Sequence, residues 1–125
     1  MLYMSAHQVE VGTIFRYEWG HDQTNVEFWE VVDHTHKSVW IRRIDAVKTP
    51  DPFDPEKGPS FTGWTVPVPG AYNGMKIRRL VRHHKDGSIH LDMPYGFAYP
   101  AEYSVWTEGE ESVKIYKPVR YSEYA

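Results

Sequence analysis

The chain has 125 residues and a formal net charge of −3 with neutral histidines, and it contains no cysteine. That length predicts a single domain over residues 1–125. The lack of cysteine excludes disulfides, zinc–thiolate sites and cysteine nucleophiles. The mildly acidic balance predicts weak affinity for nucleic acid, because DNA-binding domains ordinarily carry a basic face. Aromatic residues reach 15% of the chain, a high share that suits pleated sheets and binding surfaces alike.

The chain shows no targeting or membrane signal. Residues 1–7 contain no basic segment followed by an apolar run, so no signal peptide is predicted. No stretch approaches the roughly 18 apolar residues that a membrane span requires. We therefore expect a cytoplasmic protein without membrane contact, stable without cross-links in a reducing compartment. Composition leaves the oligomeric state open.

Period-two alternation of apolar and polar residues predicts three β-strands early in the chain, at residues 13–19, 26–32 and 38–44. In the first, Phe15, Tyr17 and Trp19 alternate with charged residues, so an extended backbone places the three rings on one face. Short polar segments link the three strands, which is typical of an antiparallel meander.

Proline dominates the next stretch. Residues 49–59 contain four prolines, which remove backbone donors and fix φ, so they predict an exposed surface loop. Residues 64–68 predict a short edge strand, because Pro67 and Pro69 limit its pairing. Residues 70–74 predict a turn.

A β-hairpin is predicted at residues 75–84 and 88–93, joined by a three-residue loop with Gly87 in the left-handed conformation. This loop length sets Val81 opposite Leu91 and His83 opposite Ile89. One face of the hairpin is then apolar and consists of Ile77, Val81, Ile89, Leu91 and Met93. The other face is polar apart from Leu80 and consists of Arg78, Arg82, His84, His90 and Asp92.

The last third predicts an aromatic loop at residues 94–100, a hairpin at residues 103–107 and 112–116, and a tyrosine-rich tail at residues 117–125. Sustained apolar spacing at three and four residues is absent, so at most one short helix is expected. Seven or eight short strands predict an all-β, mainly antiparallel fold. The expected architecture is a small SH3-like or otherwise partly open barrel or sandwich.

The segment from Trp19 to Asn25 is distinctive, because it packs five polar side chains between two aromatic strands. As a site, it offers His21 and Asp22 for proton transfer and three neighbouring polar side chains for hydrogen bonds to a ligand. As a turn, its Asp, Thr and Asn side chains bond to nearby backbone groups, and Gly20 tolerates positive φ. Both interpretations stay open at this stage.

Basic residues concentrate in the predicted hairpin, where Arg78, Arg82, His84 and His90 share a face. Such a face offers binding to phosphate or to an acidic protein. The alternative is a solvated sheet face balanced by acidic side chains. The chain has seven histidines, but no spacing among them matches a known ligand pattern, so neither a metal site nor a cofactor is predicted.

Three segments carry a resemblance to a known group of proteins, at residues 11–15, 19–26 and 28–32. They resemble small uncharacterised proteins encoded by phages, plasmids and integrative elements of Gram-positive bacteria. That group shares a Trp-Gly-Tyr-Asp-Gln-Thr-Asn-type loop, a Phe/Tyr-rich strand and a Val-rich turn. This chain departs at His21, where an aromatic ring is commoner, and at Trp29, where tyrosine is commoner. The match covers about residues 11–44 and implies a mobile-element context in a bacterial cytoplasm, without implying an activity.

These observations predict a non-enzymatic binding protein of mobile-element origin that engages a host or element-encoded protein. Inhibition of a host defence nuclease is one specific form of this function, which only the resemblance to mobile-element proteins implies. The predicted contact residues are Trp19, His21, Asp22, Gln23, Thr24, Asn25, Phe28 and Trp29.

Two alternatives come from other classes of function. The first is a nucleic-acid-associated module that uses Arg78, Arg82 and exposed rings. The second is a small nucleotide-binding or hydrolytic enzyme centred on His21 and Asp22, although the sequence holds no catalytic motif of known spacing.

Overall fold

Ten antiparallel β-strands make up the regular structure of the computed structural model, which describes residues 9–50 and 62–122. The strands are β1 (Ile14–Trp19), β2 (Asn25–His34), β3 (Ser38–Thr49), β4 (Thr62–Tyr72), β5 (Ile77–His83), β6 (Ile89–Met93), β7 (Gly96–Pro100), β8 (Tyr103–Glu108), β9 (Glu111–Tyr116) and β10 (Val119–Ser122). The all-β, antiparallel prediction is confirmed. Over these residues the structure contains no helix, and hence none long and apolar enough to cross a membrane.

Six of the strands close into a barrel. The ring runs β1-β2-β3-β5-β6-β7 and returns to β1 through the β1–β7 pair. Closure depends on the length of β3, which has 12 residues and pairs with two strands, β4 and β5, along the edge opposite β2. Residues 38–41 pair with β5, and residues 44–49 pair mainly with β4. Strands β4 and β10 therefore extend from the ring, and β8 and β9 form a separate hairpin.

The inside of the barrel is filled by alternate residues of the ring strands. Phe15 and Tyr17 are buried there, and Trp19 packs against them, so the predicted common face of these three rings is confirmed. Because antiparallel neighbours share a face, Trp29 opposite Phe15 and Ala98 opposite Tyr17 also point inwards. This interior is the main apolar core.

A second apolar core lies on the outer face of β1, β2 and β3. Ile14, Phe28 and Ile44 are each at most 2% exposed and pack with Ala101. Tyr116 at the end of β9 and Val119 at the start of β10 cover this cluster. Strand β2 is thus buried on both faces, and β1 only at its start, whereas β5, β6 and β7 keep their outer faces exposed.

The predicted hairpin of β5 and β6 is confirmed in its register. Val81 pairs with Leu91 and His83 pairs with Ile89. The backbone N–H of His84 donates to Ser88 O at 2.9 Å, which closes the three-residue loop. Gly87 adopts φ +88°, the left-handed conformation that this loop requires.

The prediction of a loop at residues 94–100 is wrong, because residues 96–100 form β7. This strand pairs with β6 on one side and with β1 on the other. Small Ala98 fills the narrow space between Tyr17 and Leu91, its partners on the two neighbouring strands. Phe97 and Tyr99 consequently point outwards from the barrel.

Two further predictions need correction. The tail predicted at residues 117–125 contains β10, which pairs with residues 62–65 of β4. The edge strand predicted at residues 64–68 is longer, and it is not an edge throughout: residues 64 and 65 pair with both β3 and β10, whereas residues 66 and 67 pair with β3 alone. Pro67 and Pro69 fit because they lie beyond the part of β4 that β10 covers, so they remove no bond from that ladder. Most of the predicted proline-rich loop, residues 51–59, lies outside the described residues.

Candidate functional site

The β1–β2 loop is held together by its own polar side chains. The Asn25 side-chain amide donates to Trp19 O at 3.3 Å, and Gln23 Nε2 donates to Asn25 Oδ1 at 3.1 Å. Gly20 has φ +128°, and a Cβ atom at this position would lie 2.0 Å from Gln23 O. Backbone conformation and close contact therefore both require glycine here.

Strand β10 anchors the same loop from outside. The Thr24 backbone N–H donates to Ser122 Oγ at 2.7 Å, and the Ser122 N–H donates to Thr24 O at 3.0 Å. Gln23, Thr24 and Asn25 thus act as loop-forming groups, which is the structural interpretation of the motif.

His21 and Asp22 occupy the tip of the loop and face solvent. Their side chains are 99% and 96% exposed, and they contact each other at 3.1 Å between Nδ1 and Oδ1. The enzymatic alternative requires these two groups to converge in a pocket that excludes water. Their exposure leaves that alternative without geometric support.

The aromatic residues that flank the loop have different environments. Glu27 accepts a hydrogen bond from the Trp19 indole at 2.6 Å and another from the Trp29 indole at 3.1 Å, so both rings are fixed at the barrel mouth. Tyr95 stacks on Trp19 with 5.4 Å between ring centroids, and its side chain is largely exposed. Phe28 is buried in the outer core, so it has no surface to offer a partner.

The outer face of the β5–β6 hairpin brings together most of the predicted basic residues. Arg82 Nε donates to Asp92 Oδ2 at 2.8 Å, and His90 Nε2 lies 3.1 Å from Asp92 Oδ1. His84 Nε2 and His90 Nδ1 are 2.6 Å apart, so one ring donates and the other accepts. Arg78 points to the same side of β5 but lies beside Trp40 of β3, about 13 Å along the strand from Arg82.

Strand β7 adds two rings to this face, and β1 adds a second arginine. Phe97 is 50% exposed and Tyr99 is 40% exposed. The ring centroids of His90 and Phe97 are 4.5 Å apart, and the Arg16 guanidinium lies 5.7 Å from the centre of the Tyr99 ring. We call this surface the ring face; it consists of Arg16, Arg82, His84, His90, Phe97 and Tyr99.

Carboxylates balance the charge of the ring face. The hydrogen bond from Arg82, with a second contact from His90, holds the pKa of Asp92 below its usual value, so this carboxylate is ionised at neutral pH. Arg16 is paired in the same way with Glu18. Each arginine still presents donors beyond the one its carboxylate occupies, because a guanidinium has five N–H groups.

Sequence reasoning missed Arg16, Phe97 and Tyr99. The alternation of Phe97, Ala98 and Tyr99 after Gly96 was an available signal for a strand with both rings on one side. Arg16 carried no comparable signal, because its place beside Tyr99 follows only from the pairing of β1 with β7.

The fold and the site together define a closed six-stranded β-barrel with an exposed aromatic and basic outer face. Among the residues described, no group of three or more His, Asp or Glu side chains is placed to hold a metal ion. No family model, no curated protein and no solved structure matches this chain.

Proposed function

We propose that this chain is a non-enzymatic binding module whose ligand is single-stranded nucleic acid, bound across the ring face. The observation that carries the proposal is the adjacency of two half-exposed rings, Phe97 and Tyr99, to Arg16 and Arg82 on one side of the barrel. Rings that stack bases and cations that bind phosphates are the two components of single-strand recognition on a sheet.

The chemistry favours unpaired bases over a duplex. A base can stack on Phe97 or Tyr99 only when it is not stacked within a double helix. The arginines would bond phosphate oxygens through the donors that Asp92 and Glu18 leave unused. With only two arginines on this face, sequence-independent attraction to the nucleic-acid backbone stays small, which agrees with the net charge of −3.

The biological setting belongs to the same proposal. The Trp-Gly-His-Asp-Gln-Thr-Asn loop supports an origin in a phage, plasmid or integrative element. Such elements pass through single-stranded intermediates during replication and transfer, and a bacterial cytoplasm is where these intermediates arise. A small barrel that coats or recognises them is consistent with this setting.

The test measures binding of a fluorescent single-stranded oligonucleotide of about 12 nucleotides, a length within the range that small barrels occupy. Phe97→Ala and Tyr99→Ala should each weaken binding by about 5- to 150-fold, since stacking is worth about 1–3 kcal/mol per base. Both side chains are half-exposed, so circular dichroism and the unfolding midpoint should stay close to wild type.

Trp106→Ala is the matched control, because it removes an exposed ring from β8, outside the ring face. It should bind the oligonucleotide as tightly as wild type. Equal affinity for wild type, Phe97→Ala and Tyr99→Ala would refute the proposal. So would equal affinity for single-stranded and duplex DNA of the same sequence.

A second candidate function is contact with a host protein, including inhibition of a defence nuclease. Tyr95 favours it, since this ring is 74% exposed and stacks on Trp19, the residue that precedes the β1–β2 loop. Salt dependence separates the two functions. Binding through two phosphates predicts a slope of about −1.4 for log affinity against log salt concentration. A salt-insensitive complex with a host protein, lost in Tyr95→Ala and retained in Phe97→Ala, would support the second candidate function.

A further inference from the structure

A cavity of about 480 Å³ lies beside the ring face. Its apolar lining comes from Trp64 of β4, from Pro118 just before β10 and from Val119, the first residue of β10. Arg16 and Arg120 line its polar side. Cavities of about 300–1,000 Å³ with apolar walls and a few charged groups are typical binding sites for small molecules. The volume and lining suit one planar base with its phosphate.

Arg16 connects this cavity to the ring face. Its guanidinium lies 5.7 Å from the centre of the Tyr99 ring, and the same residue lines the cavity. Arg16 thus borders both surfaces, so a strand that stacks on Tyr99 lies close to the cavity. The two surfaces form one continuous path along the outside of the barrel.

The charge around the cavity favours an anion. Arg16, Lys117 and Arg120 contribute cations. Glu102 offsets one of them through an ion pair with Lys117 at 3.1 Å, and Glu18 pairs with Arg16. Among the described residues that line the cavity and their ion-pair partners, cations thus exceed carboxylates by one. Arg120 is exposed, and it pairs with Trp64 across the β4–β10 ladder.

Building on the proposed function, we infer that this cavity is a nucleotide subsite, which takes one base of the bound strand. The base lies against the apolar lining that Trp64, Pro118 and Val119 provide. Arg16 and Arg120 bind its phosphate. The subsite would capture a base turned out of the row that stacks on Phe97 and Tyr99, and it would also accept a free nucleoside monophosphate.

The experiment titrates AMP into ¹⁵N-labelled protein and follows backbone and indole N–H resonances. AMP should shift the signals of Trp64, Val119 and Arg120 with affinity in the millimolar range. Adenosine, which lacks the phosphate, should bind at least about tenfold more weakly than AMP. Arg120→Ala should weaken the binding of AMP to a similar extent. Arg120 is exposed, so this variant should keep the wild-type spectrum elsewhere.

Trp106→Ala is the matched control, because this exposed ring lies outside both the ring face and the cavity. It should bind AMP within about twofold of wild type. The inference is overturned if AMP shifts no signal of the cavity, or if Arg120→Ala binds AMP as well as wild type does. If the ring-face variants lose oligonucleotide binding but AMP does not bind in the cavity, the proposed function stands and the nucleotide subsite does not. If AMP binds in the cavity but the protein binds no oligonucleotide, the cavity is a nucleotide site and the proposed function of the ring face is wrong.

Discussion

At the scale of single residues, Gly20 carries the largest conformational demand in the β1–β2 loop. Its φ of +128° is unfavourable for any side chain, and a Cβ atom would lie 2.0 Å from the carbonyl oxygen of Gln23. We expect Gly20→Ala to lower the free energy of unfolding by about 1–3 kcal/mol, because the loop must either strain or open. Urea unfolding followed by tryptophan fluorescence measures the loss.

Gly12→Ala distinguishes the stability cost of positive φ from the stability cost of the close contact at Gly20. Gly12 also has positive φ, at +97°, but a Cβ atom there would meet nothing within 4 Å. Its substitution should therefore cost less than that of Gly20. Equal losses in the two variants would contradict a role for the contact with Gln23 and leave the φ angle as the sole cause.

At the scale of elements, β10 holds the β1–β2 loop in place. Ser122 accepts the Thr24 N–H through its hydroxyl at 2.7 Å and donates its own N–H to Thr24 O at 3.0 Å. Ser122→Ala removes one of these two bonds, so we expect a loss of about 0.5–1.5 kcal/mol. The Thr24 amide should also exchange faster with deuterium, as measured by NMR.

Ser112→Ala is a suitable comparison for Ser122→Ala. Ser112 lies on the exposed β8–β9 hairpin, where its hydroxyl contacts Thr107 at 3.4 Å. It should leave stability and Thr24 exchange unchanged. Unchanged Thr24 exchange in Ser122→Ala would show that β10 does not protect the loop.

The elements also separate what the sequence could predict from what it could not. Alternation predicted the β5–β6 register, because Val81 and Leu91 are apolar on one face while Arg82 and His90 are polar on the other. Alternation did not reveal β7, because its outward residues, Phe97 and Tyr99, are themselves aromatic and its inward residue, Ala98, is small. It also failed at β10, a four-residue strand whose partner, β4, is distant in the sequence.

The candidate site divides in the same way. Arg82, His84 and His90 were placed together by the length of one local turn. Phe97 and Tyr99 join them through the β6–β7 pair, and Arg16 joins through the β1–β7 pair that closes the barrel. Barrel closure is a long-range property, and local periodicity does not encode it. The predicted contact residue Phe28 was misplaced for a related reason, since β2 is buried on both faces and its alternation does not identify the solvent side.

At the scale of the whole molecule, the barrel combines an inner core, an outer core and an open ring face. Tyrosine hydroxyls lie at the boundaries of the two cores. Tyr17 projects from the inner core, where its hydroxyl accepts the Tyr95 N–H at 2.8 Å. Tyr72 donates a short hydrogen bond to the buried carboxylate of Glu30, and Tyr116 packs on the outer core.

These positions predict loss of stability in alkaline solution. Burial raises the pKa of Tyr116 to about 12. Burial also raises the pKa of Tyr17, and the hydrogen bond to Glu30 raises that of Tyr72. In the unfolded chain a tyrosine ionises near pH 10. Above that pH the unfolded state therefore releases protons that the folded state retains, and the free energy of unfolding falls as the pH rises from about 10 to 12.

Tyr116→Phe tests this linkage, because it removes one of the ionising groups and keeps the ring that packs on the outer core. The variant should lose stability less steeply than wild type between pH 10 and 12, and the two should run parallel between pH 7 and 9. Urea unfolding at each pH, followed by circular dichroism, gives both slopes. Parallel curves over the whole range would mean that Tyr116 ionises equally in the folded and unfolded chains, so the segment from β9 to β10 would not shield the outer core from water.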